Sequence, residues 1–453
     1  MKIKKILIQN FRQFHEFALD LTDPNTGVPL DRICLIGRNG TGKSTILRLI
    51  NHFLGGEKSQ FATFSSAMKV ASDESEAWLN YFADGKFLAY PAPYLEERSD
   101  WPGMLNWSER DLLASGLIVK HPQGLWTPIT KPWTEAVPWG KGSICAYAPP
   151  DHSSLLERGQ KLPFTSLSQA LSLFKSFPVN HTVGGGFSAK FWELLIYHLK
   201  KIDTDWQEFL ENETNQSRTV EEVRREFDES HPQILYRVAE LWDRIIGPAG
   251  LEFDVLNARK PVQLNENLEA YVKVKSTGLP LEYNSLSTGI RNHMFRLGHI
   301  AALYFGRNVK SGILLLDEPE NSLYPDFLYD LLATYESVVT NTQIFVATHN
   351  PIVAAQFRPE ERFILDFDDN SHITVRKGVT PEGDDPNDLL EKDFEVRNLY
   401  GVVGLKNWER FLELRRLIPK AVDRTSKLEL INEYMAIGHS YNFSIDAIPT
   451  ETL

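Results

Sequence analysis

Residues 3–21 alternate apolar and polar side chains, and a loop holding Pro24, Asn25, Gly27 and Pro29 separates them from the apolar run ICLIG. That order predicts a β-hairpin followed by a buried strand. After GRNGTGKS, the segment TILRLINHFLG carries Ile46, Leu49, Ile50 and Phe53 at helical spacing, so strand, glycine loop and helix succeed one another. Residues 56–143 are rich in tryptophan, proline and glycine and read as strands and loops decorating the core. SICAYAPP is a second apolar strand. Two helical stripes follow, Trp192, Leu195, Leu199, Ile202 and Trp206, then Ile234, Val238, Leu241, Trp242 and Ile245. The charged, uncapped stretch ENETNQSRTVEEVRREFDES lies between them, and Pro232 marks the next helix start. No strict heptad runs through the stripes, so a helical hairpin is expected rather than a coiled coil.

Beyond residue 250, LEFDVL and EAYVKVKS read as strands, and Leu297, Ile300, Ala301 and Tyr304 place a helix after the turn NSLSTG. GILLLDEPENS then supplies an apolar strand, residues 326–338 a helix, and QIFVATHNP another strand. FILDFDD with HITVRK reads as a closing hairpin, followed by helices over NWERFLELRRLI and KLELINEYMAIG.

At 453 residues the chain has room for two or three structural units. Forty-eight basic against sixty acidic side chains give a net charge of −12, which excludes a surface that is cationic throughout. Cys34 and Cys145, each in an apolar run, are the two cysteines of the chain, too few for a four-cysteine zinc site. They read as buried thiols in a reducing cytoplasm. No stretch has the roughly 18 apolar residues of a membrane span, and the short basic start MKIKKILIQN lacks the features of a secretory signal.

GRNGTGKS, residues 37–44, fits the phosphate-loop pattern. Its glycines let backbone N–H groups wrap an anion, Lys43 reaches the outer phosphates of a nucleotide, and Ser44 offers a hydroxyl to magnesium. ILLLDEP ends an apolar strand in two adjacent carboxylates, where an unpaired charge costs several kcal/mol unless a cation or a proton meets it. A magnesium ion answers for Asp317, and Glu318 is placed to polarise a water attacking the γ-phosphate. His349 ends the strand IFVATHN, a position more often held by a satisfied core histidine, and LSTG at 286–289 is by itself an ordinary helix cap that is also an anion site.

Taken in order, phosphate loop, LSTG, DEPE and strand-terminal histidine resemble the head of an ABC-type ATPase of the RecF, SMC and OLD branch. Asn10, Phe11 and Arg12 ahead of the loop match that branch as well. The resemblance covers residues 1–55, 144–152 and 251–380. It implies an α/β fold, a mixed sheet with a P-loop core, interrupted by a helical insertion and closed by a helical C-terminal tail. The expected divisions are 1–150 (first part of the head), 151–250 (helical insertion), 251–380 (second part of the head) and 381–453 (tail).

By the same resemblance Gly37, Arg38, Asn39, Gly40, Thr41, Gly42, Lys43, Ser44 and Thr45 form Walker A and hold ATP together with Arg12. Ser287 and Gly289 belong to the signature, Ser44 and Asp317 hold Mg2+, Glu318 is the catalytic glutamate, and Lys43 acts on the phosphates. Asn321 to Leu323 form the D-loop and His349 is the switch histidine. The signature of this family acts on nucleotide held by a second head, which implies a homo-oligomer of paired heads. The chain departs from the pattern after the strand at 144–150, where APPDHSS offers Asp151 or His152 in place of the Q-loop glutamine, the alternative being a different magnesium ligation. Ile290 and Arg291 also replace the usual acidic or polar residues, and the 240-residue separation of Thr45 from Leu286 is too short and irregular for an SMC arm.

A stand-alone head of this size, with the tail sequence NDLLEKDFEV, is similar to the ATPase subunits of bacterial anti-phage systems such as PARIS and Septu. That similarity implies a cytoplasmic ATPase subunit working with a separate nuclease effector and answering a nucleic-acid or phage trigger, away from any membrane. The alternatives are a RecF-like repair ATPase clamping DNA, for which Lys2, Lys4, Lys5, Arg224 and Arg225 are scattered candidates, and an OLD-like nuclease using Asp366 and Asp368. In the tail, Trp408, Phe411 and Leu412 and then Leu428, Ile431 and Met435 read first as internal core and second as a partner surface.

Overall fold

The structure, a computed structural model, describes residues 2–54, 66–71, 76–81, 87–91, 118–120, 126–128, 143–150, 180–184, 205–215, 217–230, 234–254, 272–281, 285–307, 309–396 and 399–443. Strands β1 (Lys2–Phe11) and β2 (Phe14–Asp20) form the expected antiparallel hairpin. Strand β3 (Arg32–Gly37) then leads to helix α1 (Lys43–Phe53). Strands β4 (Ser66–Ala71), β5 (Glu76–Tyr81) and β6 (Phe87–Pro91) extend the hairpin into an antiparallel sheet of order β2-β1-β4-β5-β6. The short strands β7 (Ile118–Lys120) and β8 (Trp126–Pro128) pair with each other.

Strands β9 (Ser143–Ala148) and β10 (Asn180–Thr182) precede the helices α2 (Val220–Ser230) and α3 (Ile234–Ile246). A small antiparallel sheet joins β11 (Leu251–Phe253), β12 (Val272–Val274) and β13 (Pro280–Leu281). After helix α4 (Thr288–Arg307) come β14 (Ser311–Asp317), helix α5 (Leu331–Glu336), β15 (Thr342–Thr348), the one-turn helix α6 (Pro351–Ala354), β16 (Arg362–Phe367) and β17 (Ile373–Lys377).

The central sheet has the order β10-β9-β14-β15-β3-β16-β17. Every neighbouring pair in it is parallel except β16 with β17. Its inner strands read as unbroken apolar runs because both faces are covered, and Ile33 to Ile36, Ile313 to Leu316 and Phe345 to Ala347 are buried. Helix α1 lays Ile46, Leu49, Ile50 and Phe53 into the same core, each burial stabilising by about 1.5–3 kcal/mol. Gln343 ties the N-terminal strand to this sheet: its amide accepts from Ile3 N at 2.6 Å and donates to Ile3 O at 3.0 Å and Leu30 O at 2.7 Å. The observed architecture is thus mixed α/β with a large mixed sheet.

Two expectations need correction. The charged stretch between the helical stripes is not uncapped: α2 is a helix whose entry is a capping box. Thr219 N donates to Glu222 Oε2 at 3.2 Å, and Glu222 N donates to Thr219 Oγ1 at 3.4 Å. The helix expected over 326–338 is broken into a 3-10 turn, Pro325–Leu328, and α5. Gln356 fills the break, its carbonyl accepting from Leu332 N at 2.9 Å and its amide donating to Leu328 O. Of the first helical stripe, Trp192, Leu195, Leu199 and Ile202 lie outside the described residues, as do Asp151 and His152.

The chain divides into two compact units, Met1–Asp384 and Asp385–Leu453. The second contains α7 (Pro386–Lys392), capped by Asp385, and the helices α8 (Val402–Leu417) and α9 (Arg424–Tyr441). Phe411, Leu414, Ile418, Tyr434 and Phe443 form its core, with Phe411 stacked on Tyr434 at 4.2 Å, and Trp408, Ile431 and Met435 pack against it. Leu428, by contrast, is exposed. Cys34 and Cys145 are free and buried, and no described helix is long and apolar enough to cross a membrane.

Candidate functional site

In parallel α/β sheets ligands bind beyond the carboxyl ends of the strands. Here the ends of the neighbouring strands β3, β15 and β14 carry the phosphate-loop sequence, His349, and the pair Asp317 and Glu318.

The loop between β3 and α1 is built from backbone geometry. Gly40 and Gly42 both have φ of +87°, the left-handed region that favours glycine. At Gly42 a Cβ would also lie 2.3 Å from the Phe14 ring, so the N-terminal hairpin is moulded onto the loop. A Cβ on Gly37 would lie 2.4 Å from the Leu365 carbonyl of the neighbouring β16. Thr41, fully buried, donates its hydroxyl to Arg38 O at 2.9 Å and closes the turn. No side chain caps the N-terminus of α1, which leaves its first N–H groups and the positive end of its dipole available to an anion. Asn39 and Gly40 are exposed there, and Thr45 lies half-buried in the first turn of the helix.

Lys43 is 6% exposed, and its Nζ donates to Gly37 O at 2.7 Å and Arg38 O at 3.1 Å. Burial pulls its pKa down to about 8, against the opposing pull of Glu318, Asp317 and Glu320. Ser44 Oγ donates to Asp317 Oδ1 at 2.9 Å, and Tyr147 donates its hydroxyl to Asp317 Oδ2 at 3.3 Å. Arg48 Nε in turn approaches the Tyr147 hydroxyl at 3.5 Å. Asp317 is 1% exposed, and burial raises its pKa in spite of the Ser44 hydrogen bond. A dry carboxylate beside a serine hydroxyl fits a hard divalent cation, which would satisfy the charge that desolvation penalises. Among the described residues no group of three or more His, Cys, Asp or Glu is placed to hold a metal ion by itself.

Glu318 stands at φ +45°, a conformation worth about 1–3 kcal/mol of strain in a non-glycine residue, and its N–H donates to Ala347 O at 2.9 Å. Its Oε1 lies 3.5 Å from His349 Nε2. Burial first, then the Lys43 charge, lowers the His349 pKa, so the imidazole is neutral at pH 7. The carboxylate therefore faces a neutral ring.

The residues expected to form the signature and the D-loop make a second cluster. Ser287 Oγ accepts from Ile290 N at 3.4 Å, and Ser287 O accepts from Arg291 N at 3.0 Å, as at the start of a capped helix. Gly289 is obligatory for space, since a Cβ would fall 1.9 Å from the carbonyl oxygen of Ser322, itself at φ +64°. Arg12, at φ +56° in the β1–β2 turn, packs its guanidinium over the Phe11 ring at 5.1 Å. Arg38 reaches Asp366 at 4.0 Å. Asp368 is engaged in its own turn, accepting from Asn370 N at 2.9 Å and His372 N at 2.7 Å.

Sequence reasoning missed four groups: Tyr147 and Arg48 around Asp317, and Glu320 and Thr348 beside His349. Glu320 and Thr348 sit inside quoted motifs, but only the fold reveals that they bond each other. Tyr147 showed no local signal beyond a hydroxyl near the end of a strand.

The sequence matches the family model of the AAA ATPase domain over residues 1–86 and 156–354. No curated protein matches it. Among solved structures it is similar to the SMC head domain from Thermotoga maritima, with 14% identity, 84% of this chain and 100% of that chain covered, and a TM-score of 0.35. It is also similar to the Smc head domain with an extended coiled coil bound to the C-terminal domain of ScpA, derived from Pyrococcus furiosus. That pair shares 12% identity, with 83% of this chain and 96% of the other covered and a TM-score of 0.39. A third, an SMC head bound to the C-winged helix domain of ScpA, gives 12% identity, 83% and 97% coverage and a TM-score of 0.40. The phosphate loop beyond β3 and the family match, which spans more than half of the chain, lead to one conclusion: this chain belongs to the AAA ATPase domain family.

Proposed function

We propose that the chain is an ABC-type ATPase subunit whose paired heads bind and hydrolyse ATP and thereby control a separate nuclease effector in an anti-phage complex. The observation that carries the hydrolytic part is the approach of Glu318 Oε1 to within 3.5 Å of His349 Nε2 beside the buried Lys43, on the edge that also bears Ser44 and Asp317. The α1 N-terminus and the loop N–H groups bind the phosphates, and Lys43 neutralises the outer ones. Ser44 and Asp317 would hold Mg2+, which when bound supplies charge neutralisation on the phosphate oxygens. Glu318 orients and polarises the attacking water, and neutral His349 holds the Glu318 carboxylate in place.

Pairing of heads follows from the resemblance, with Ser287 and Gly289 of each copy completing the site of the other. The defence assignment rests on the similarity of the tail sequence NDLLEKDFEV to the ATPase subunits of anti-phage systems. The test is the mass of the protein in solution with and without ATP and magnesium, and after co-purification with the product of its neighbouring gene. A complex retaining a nuclease-like partner supports the reading. A monomer that pairs only with ATP and DNA, and keeps no partner, moves the assignment to a RecF-like clamp.

A further inference from the structure

Glu320 is the second glutamate of DEPE, and the mechanism above gives it no part. Its Oε1 is shared by two donors, the hydroxyl of Thr348 and the backbone N–H of His349 at 3.2 Å. The same Thr348 oxygen accepts from Asn350 N at 2.9 Å, and Asn350 Oδ1 accepts from Ile352 N at 2.9 Å to cap α6. Both flanks of His349 are therefore fastened, one by Glu320 and Thr348, the other by Asn350. Glu320 is fastened as well, since its carbonyl accepts from Leu323 N at 3.0 Å and Asn321 N donates to Glu318 O at 3.1 Å. Between these sits Ser322, whose carbonyl rests against Gly289 of the signature helix.

Glu320 Oε2 is enclosed and has no hydrogen-bond partner among the described residues. A carboxyl oxygen left unsatisfied away from water is costly, so a residue chosen for stability alone would not be acidic here. The oxygen that is satisfied holds the backbone N–H of His349 itself.

We infer that Glu320 is a positioning residue for hydrolysis: through Oε1 it fixes the His349 backbone so that the ring meets Glu318, and it ties that register to the D-loop resting on Gly289. This inference rests on the hydrolytic reading of Glu318 and His349. It assigns Glu320 no contact with nucleotide, and so separates turnover from binding. A displacement of about 1 Å in a catalytic group costs up to about 10²-fold in rate, while phosphate binding by the loop and α1 is untouched.

The test uses the full chain with ATP and magnesium, comparing Glu320→Ala, Glu320→Gln, Thr348→Val and Glu318→Gln for kcat and for ATP affinity. Glu320→Ala should lower kcat by at least about tenfold with ATP affinity unchanged. Glu320→Gln, which keeps an acceptor oxygen for both donors, should restore most of it. Thr348→Val leaves the carboxyl and its bond to His349 N in place but removes one donor to Glu320 and the acceptor of Asn350 N, and should lower kcat severalfold. It serves in place of Glu320→Ala if that variant does not fold. Wild-type kcat in Glu320→Ala or Thr348→Val, an equal loss of affinity and kcat, or a Gln variant as slow as the Ala variant each overturn the inference while leaving the function standing, provided Glu318→Gln is inactive. An active Glu318→Gln removes the functional reading and this inference with it.

Discussion

Lys43 should cost the folded protein stability in order to serve its site, and the cost can be read as a pH dependence. Burial brings its pKa from an ordinary 10.5 to about 8, which at about 1.4 kcal/mol per tenfold change is roughly 3 kcal/mol against the charged form. Below pH 8 both the folded and unfolded chains carry the charge, and the full penalty is present. Between about 8 and 10.5 the unfolded chain holds more protons than the folded one, so stability rises with pH through that window and the penalty is gone above it. Lys43→Met removes the ionisation while keeping an unbranched side chain one atom shorter. Urea unfolding at pH 7, 8, 9 and 10 should therefore show the wild type gaining up to roughly 3 kcal/mol on Lys43→Met as pH rises. Lys377, also near 8, titrates in both proteins and cancels from the difference. ATP affinity provides the functional half of the same prediction. Phosphate oxygens favour charged Lys43, so ATP binding near pH 9 should take up close to one proton, read by calorimetry in buffers of different ionisation enthalpy. A stability difference that stays flat between pH 7 and 10, or ATP binding with no proton uptake at pH 9, would refute the desolvation of this lysine.

Gly289→Ala puts a Cβ 1.9 Å from the Ser322 carbonyl, so the helix start and the turn holding Ser322 must part. A loss of about 1–3 kcal/mol and of ATP turnover is expected, whereas Gly401→Ala, where nothing lies within 4 Å of the added carbon, should leave turnover unchanged. The His349 imidazole, followed by NMR, should titrate below its ordinary 6.5. Because the unfolded chain protonates first there, His349 makes stability fall as pH drops through that lower window, and a midpoint at or above 6.5 contradicts its burial. Phe411→Ala should destabilise the C-terminal unit by about 3–5 kcal/mol, seen as faster hydrogen exchange over 402–443, and unchanged exchange would contradict its core role.

Much of the site was legible because its determinants are local. An apolar strand ending in glycines, in DE or in HN announces itself within ten residues, and the parallel sheet aligns those endings. The supports were not legible, because their partners are remote: Tyr147 and Asp317 are 170 residues apart, Thr348 and Glu320 28. Helix α2 hid behind its charge, although Thr219 and Glu222 stand at capping-box spacing in the sequence. The break before α5 depends on Gln356, which no pattern within 326–338 reveals.

The most direct test of the account is ATP turnover by Glu318→Gln beside the wild type, with nucleotide affinity and solution mass measured on the same samples. The account predicts an ATP-binding variant that does not hydrolyse and accumulates as closed, paired heads with ATP and magnesium. Hydrolysis at the wild-type rate would contradict it.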